Sequence, residues 1–507
     1  MLVSENNKRI AKNALYLYIR MFLTMGVTLF TSRVILQTLG VEDFGIYNVV
    51  AGIVVLFAFI NNAMAIASQR FLSFALGKKD EQEVKRVFSM SLTSHIAIAG
   101  VVLLLAETVG LWVLWNMNFP ENRLHAINWA YHAAVLTCVV NILRVPYNAA
   151  IIAYERMSFY AWVSIIEVFM KLAIVYLLLA YDGDKLIFYS FLLLLVTIVV
   201  NLVYKIYSNK QFSTSRYHFF WDKSLFKQFI GFSGWSLTGS LANVGAQQGL
   251  NMIINIFCGV VVNAAVGISN QVMSAVGQFL GSFQTAFNPQ LVKSYATGDK
   301  EYFMNLIFKT SKFSYYLMFL LSLPAVINCS FFLHAWLGTV PKYATEFSQL
   351  MIIFLLFDAI SGPLWISVQA TGKIKNYQLL MSFLILLNLP ISYVILFYGY
   401  SPVYVFVGRV VVNIVTFLAR VVYLRPLIQL AARKYILQVV IPVALVSMLS
   451  LPVPIWMNEI MDTTWLSVIL NSFTCLLVST IFIYVIGLTK SERKLINKVV
   501  KQKISIR

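Results

Sequence analysis

The sequence predicts an all-α integral membrane protein, a bundle of about fourteen spanning helices with both ends on the cytoplasmic side. Three observations predict it: an apolar composition, apolar runs of spanning length that recur along the chain, and a one-sided distribution of Lys and Arg. Of 507 residues, 60% are hydrophobic and 12% charged, with a mean hydropathy of +0.78. Soluble domains carry about 25% charged residues, so this chain lacks the polar coat that a water-soluble protein of its length needs. The net charge of +19 does not mark a nucleic-acid binder, because the basic residues sit in short clusters between apolar runs rather than on one polar domain. Cys138, Cys258, Cys329 and Cys475 fall in or beside apolar runs, away from metal-ligand spacing, and read as small core residues.

Taken in order, the predicted spans lie near residues 12–36, 45–68, 87–115, 124–146, 158–181, 186–206, 229–257, 261–287, 307–333, 346–368, 376–399, 402–424, 435–457 and 464–487. The first run is too long for a signal-peptide core and has no small-residue cleavage site, so it is expected to remain as a helix. With the amino terminus inside, one set of loops and the tail holds about 32 Lys and Arg, and the opposite set about 4, namely Arg33, Arg123, Lys185 and Lys342. One helix more or fewer would scramble that alternation downstream. Between the sixth and seventh spans, Arg216, Lys223 and Lys227 mix with Tyr217, Phe219, Phe220, Trp221 and Phe226. That pattern suits an amphipathic segment on the inner leaflet, with a substrate gate as the other reading.

Three loop signatures occur twice, at offsets of about 217 to 221 residues. Leu39-Gly40-Val41 pairs with Cys258-Gly259-Val260, and Ser73 to Lys78 with Ser294 to Asp299. Ala153-Tyr154-Glu155-Arg156 pairs with Ala370-Thr371-Gly372-Lys373. An offset of six spans preserves orientation, so the halves are expected to be parallel repeats. The domain reading is an N-lobe over 1–208, an amphipathic linker over 209–228, a C-lobe over 229–426, two additional helices over 427–488 and a basic tail over 489–507.

The stretch from Arg33 to Tyr47 resembles the first extracytoplasmic turn of bacterial polysaccharide-biosynthesis flippases, as do Val145-Pro146-Tyr147-Asn148 and Ala153 to Ser158. Asn263-Ala264-Ala265 and Pro289 to Ala296 are similar again. The resemblance covers most of the chain and is nearest to O-antigen (Wzx-type) flippases of the MATE-like MOP exporter superfamily. It implies a MATE-like fold in the bacterial inner membrane, and flipping of undecaprenyl-diphosphate-linked O-antigen, capsule or exopolysaccharide repeat units. It implies membrane lipids, a glycan polymerase and assembly proteins as partners. No nucleic acid and no cofactor is expected.

Such cargo needs fixed cations and a polar lining inside the bundle, and intramembrane charge is costly enough to mark such paths. Arg20, Lys171 and Arg409 lie within predicted spans, and Arg33 near the outer end of the first. Arginine holds a phosphate through two parallel hydrogen bonds. For Lys171 the alternative is an ion pair with Glu167, four residues earlier; for Arg33 it is snorkelling to the headgroups. Arg409 begins a polar face with Asn413, Thr416 and Arg420. Asn243, Gln247, Asn251 and Asn255 recur every fourth residue of the seventh span, answered by Asn270 and Gln271 in the eighth. Amides donate and accept, which suits sugar hydroxyls; bonding between helices is the alternative. Asn62 and Gln69 share a face of the second span. Glu107 and Asp358 stay unassigned.

A flippase working by alternating access is the leading function. A MATE-type drug or cation antiporter is the alternative of the same architecture, although the first two spans have no acidic residue in their cores. A membrane-embedded glycan polymerase is less compatible with short outer loops and the lack of paired carboxylates, metal ligands or a nucleophile with a base, so no enzyme is expected.

Overall fold

The computed structural model describes residues 2–55, 58–115, 120–461, 464–494 and 497, without the side chains of residues 2–8, 29, 32–33, 36, 41–42, 44–45, 48–49, 51–55, 58–62 and 260–261, Arg33 and Asn62 among them. Among the described residues the regular structure is helical, with no strand. Helix α1 spans Leu2–Val55, α2 Ala58–Gly77, α3 Glu81–Leu105, α4 Leu111–Trp115, α5 Leu124–Ala153, α6 Met157–Leu179 and α7 Lys185–Gln211. Then follow α8 Lys223–Ala296, α9 Lys300–Ile327, α10 Cys329–Leu337, α11 Ala344–Thr371, α12 Lys375–Leu386, α13 Asn388–Phe397 and α14 Val403–Ile428. The carboxyl-terminal part holds α15 Ala432–Tyr435, α16 Ile441–Ser450, α17 Pro452–Ile460 and α18 Trp465–Phe482.

Ten helical stretches of the described residues are long and apolar enough to cross a membrane. They fall on ten of the predicted spans. The first, second, seventh and eighth predicted spans fall on α1, α2 and α8, where two long helices each turn at a glycine. Gly40 has φ 81° and ψ 168°, and Gly259 has φ 77° and ψ −178°. This conformation is open to glycine because a Cβ would clash with its own backbone there. The two glycines carry the same backbone turn at the repeat offset. The chain is a multi-pass membrane protein.

The second repeated turn is in a different register from the one the sequence suggests. Lys78 and Lys79 donate backbone N–H to Phe74 O and Leu76 O, and Thr297 and Gly298 donate in the same way to Lys293 O and Tyr295 O. Lys79 and Gly298 both have positive φ, 59° and 76°. Lys78 therefore corresponds to Thr297 and Ser73 to Val292, two positions short of the match that the small residues suggest. Asp80, not Lys78, is the counterpart of Asp299, and the offset becomes the one that separates Gly40 from Gly259. The hydrogen-bonded turn, not the small-residue pattern, fixes the pairing. Asp80 caps α3 by accepting from Glu83 N, Asp184 caps α7 and Asp222 caps α8.

The chain forms two compact units. One comprises Met1–Ser240, Thr285–Asp299 and Gly372–Gln378; the other comprises Leu241–Gln284, Lys300–Thr371 and Leu379–Arg507. The core of the first includes Ile46, Val50, Ile127 and Tyr131, whose hydroxyl donates to Ala106 O at 2.7 Å within a π-helical turn. At one end of this unit Arg123 bonds the Asp43 carboxylate through two nitrogens (2.9 and 2.7 Å) and Asp184 at 2.8 Å. The core of the second unit gathers Leu250, Ile254, Met351 and Phe347, which stacks on Phe406 at 4.0 Å.

Residues 216–222 are not helical and meet α3 through Tyr217 at Thr93 and His218 N at Ser89. Arg86 reaches both the Phe220 ring (5.1 Å) and Asp222 (3.4 Å), while Phe219 and Trp221 stay exposed.

Candidate functional site

In the first unit, charged side chains of α1, α5 and α6 gather around two tyrosines. Arg20 lies over the Tyr160 ring at 4.8 Å and donates from Nη1 to its hydroxyl at 3.2 Å. Its Nε is buried and has no hydrogen-bond partner. One turn and more along α6, Glu167 accepts from Lys171 at 2.7 Å and from Arg144 at 3.2 Å. Arg144 also lies over Tyr204 at 5.6 Å, and Tyr204 is in electrostatic reach of Tyr160, Arg144 and Glu167. The intrahelical Glu167–Lys171 pair is thus present, and Arg144 joins it. Arg144 and Lys171 set two cations against one carboxylate, which leaves that group positive, and Arg20 adds a third cation at Tyr160, seven residues before Glu167 on α6.

Arg144 was hidden in the sequence. The predicted fourth span ends at Pro146, and Arg144, two residues inside that end, counts among the charges of the adjoining loop. Helix α5 instead continues through Pro146 to Ala153, since neighbouring helices in a membrane protein can meet the backbone groups a proline frees. Nine residues of helix separate Arg144 from the end of α5, roughly 13 Å at 1.5 Å per residue.

In the second unit, Arg409 lies over the Phe354 ring at 5.1 Å, with Nη1 buried and without a partner. On the same face of α14, Asn413 donates to Phe354 O at 3.0 Å and to Asp358 at 3.5 Å. Asp358 is in electrostatic reach of both Arg420 and Arg409, and Arg420 Nε is buried without a partner. The polar face read from Arg409, Asn413 and Arg420 is therefore turned toward a carboxylate on α11. Glu107, on the π-helical turn, meets His132 Nδ1 at 3.0 Å.

The amides of α8 differ in burial. Asn243, Asn255 and Gln271 are exposed; Gln247, Asn251 and Asn270 are half-buried. Asn251 donates to Gln248 of its own helix at 3.3 Å, and the Oδ1 atoms of Asn251 and Asn270 are buried without a partner. Gln284, nearer the end of the same helix, instead packs against Gly362 of α11. In the first unit Gln69 is half-buried on α2. The side chains of Arg33 and Asn62 lie outside the described residues.

The sequence missed a further charged group. Glu155, just beyond α5, has a fully buried side chain. Its Oε2 accepts from Arg9 Nε and Gln290 Nε2, both at 2.6 Å, and its Oε1 from Lys293 Nζ at 2.6 Å. Burial opposes ionisation of this carboxyl, but the Arg9 hydrogen bond and the Lys293 charge outweigh it and hold it below the usual carboxylate range.

No family model matches the chain. A solved outward-facing multidrug resistance MATE family transporter of the MOP superfamily is similar over 84% of this chain and 96% of that one, at 11% identity and a TM-score of 0.74. A MOP superfamily transporter from Pyrococcus furiosus, described as having a binding pocket of reverse polarity that suggests a different function, matches 84% of this chain and 97% of its own at 14% identity, TM-score 0.69. The fold is MATE-like. Among curated proteins, the uncharacterized membrane protein EpsK of Bacillus subtilis (strain 168) is 23% identical over 333 residues, 64% of this chain. The match spans 63% of the length of EpsK.

Proposed function

We propose that the chain is a flippase that moves a polyprenyl-diphosphate-linked oligosaccharide across the bacterial cytoplasmic membrane by alternating access. The observation that carries this reading is a pair of neighbouring cationic sites on α6, Arg144 and Lys171 on the one carboxylate of Glu167 and Arg20 at Tyr160, with Arg20 Nε buried and unbonded. A buried cation within a helix costs about 2.5–3.5 kcal/mol on insertion scales. A cluster with more cations than carboxylates therefore calls for an anion to complete it. A diphosphate supplies one, and a guanidinium whose Nη1 already holds Tyr160 still offers donors to phosphate oxygens. The half-buried and exposed amides of α8 supply donors and acceptors for glycan hydroxyls, and the polyprenyl tail stays in lipid. Both termini lie in the cytoplasm in this reading, and a glycan polymerase and assembly proteins use the product.

A cation antiporter of the same fold is the second reading. Asp358 favours it, as a carboxylate inside a helix bundle that can bind a cation or proton. One experiment separates the two. Purified protein in liposomes is supplied either with a labelled polyprenyl-diphosphate oligosaccharide or with a cationic dye. Flux of the lipid-linked glycan without dye movement supports the flippase; dye movement driven by a cation gradient, with no glycan flux, overturns it in favour of antiport.

A further inference from the structure

Glu155 stands at a meeting point of sequence-distant segments. Arg9 comes from α1, while Gln290 and Lys293 come from α8, three residues apart and so on one helix face. The same end of α8 is in backbone contact with α2: a Cβ on Gly77 would lie 2.8 Å from Lys293 Cα and 2.7 Å from Ala296 Cβ. Residue 372 repeats the position of Glu155 at the end of α11, again with positive φ (60° for Glu155, 76° for Gly372). There a Cβ would lie 2.6 Å from Arg70 Nη2 of α2. Each repeated turn is thus seated on a helix of the other repeat. Lys375 over Trp235 (5.3 Å) and Gln378 against Gly239 continue the contact. Segments 285–299 and 372–378, which belong to the second sequence repeat, pack into the compact unit formed by the first.

One of the two turns carries a carboxylate and the other carries no side chain. At Gly372 a guanidinium abuts a turn that carries no side chain. At Glu155 a carboxylate with no access to solvent binds three donors, and a non-glycine residue is kept in a left-handed conformation that L side chains rarely adopt. A carboxylate buried in this way is stable only while its donors stay in place, because removing them leaves an uncompensated charge. The distribution of Lys and Arg puts these turns on the cytoplasmic side.

We propose that Glu155, with Arg9, Gln290 and Lys293, is a latch that holds the cytoplasmic side closed, and that its release opens the path by which cargo enters. The inference rests on the transport reading but not on the identity of the cargo. Opening parts α8 from the Glu155 turn, and it exposes the small residues behind it, among them Ser73 and Ser294, both buried in this structure.

The test uses the full chain with its four cysteines replaced and a single reporter, Ser294→Cys or Ser73→Cys, in inside-out vesicles treated with a membrane-impermeant maleimide. Glu155→Gln removes the charge and keeps the left-handed strain. Glu155→Gly removes both, and glycine is what the second repeat carries at this position. Both variants are expected to raise reporter labelling several-fold over the Glu155 parent in protein that remains monodisperse on size exclusion. If one variant fails to fold, the other decides. Labelling that stays at the parent level in a folded variant overturns the latch. Raised labelling in protein that moves no lipid-linked oligosaccharide upholds the latch and rejects the proposed cargo.

Discussion

Glu155 and Gly372 hold the same left-handed backbone position at the ends of α5 and α11, and a carboxylate stands at one where a bare backbone stands at the other. The two positions predict distinct responses to a change in side chain. Gly372→Ala adds a Cβ 2.6 Å from Arg70 Nη2 and forces alanine to a φ of 76°. It is expected to cost about 1–3 kcal/mol, read as a lowered Tm in detergent. Glu155→Gly relieves the backbone but strips three donors of their acceptor, so its Tm is also expected to fall. A rise in Tm for Glu155→Gly would mean that strain, not the ion pairs, dominates at this turn.

The Glu155 carboxyl also sets a pH dependence. Its folded pKa is depressed, so its contribution is fully present above the ordinary carboxylate value and is lost as pH falls through the depressed one. The groups facing it, Arg9, Lys293 and Gln290, keep their charge state over that range. The stability that the parent loses relative to Glu155→Gln, read as Tm in detergent, should therefore stay small from neutral pH down into the usual carboxylate range, and rise only below it. A rise centred near the ordinary histidine value, about 6.5, would point to a different titrating group.

Lys312 on α9 donates to Glu492 beyond α18 at 2.6 Å, with both side chains buried. Burial opposes ionisation of Glu492, and the hydrogen bonds from Lys312 and the Thr489 backbone together with the Lys312 charge outweigh it, so its carboxyl also lies below the usual range. Removing one partner of a buried pair costs about 3–5 kcal/mol. Lys312→Met is expected to lower Tm strongly, and Lys312→Met with Glu492→Leu to recover much of the loss. A Tm for Lys312→Met equal to that of the parent would show that the pair contributes little.

The helical fold and the turns at Gly40 and Gly259 were legible because apolar length and glycine conformation are local properties of a sequence. The Glu167–Lys171 pair was legible for the same reason, since spacing of four along one helix fixes it. Arg144 was not legible, because a proline inside a lipid-embedded helix reads like its end. Nor was the Glu155 group, whose partners Gln290 and Lys293 lie 135 and 138 residues away; the signal available was a glutamate aligned with a glycine, in a loop set otherwise rich in Lys and Arg. The register of the second repeated turn followed the backbone hydrogen bonds rather than the residue pattern.

Positive clusters inside the bundle are proposed to bind the diphosphate of a lipid-linked glycan. Arg20 and Arg409 each keep a buried nitrogen without a partner, so each is expected to contribute to binding. The direct measurement is flux of a labelled polyprenyl-diphosphate oligosaccharide through liposomes containing the parent, Arg20→Ala or Arg409→Ala, at matched protein density. Transport by the parent is expected, with a fall of about tenfold or more in both variants; about 1.4 kcal/mol of lost interaction corresponds to each factor of ten. Flux in both variants equal to that of the parent would contradict the diphosphate role.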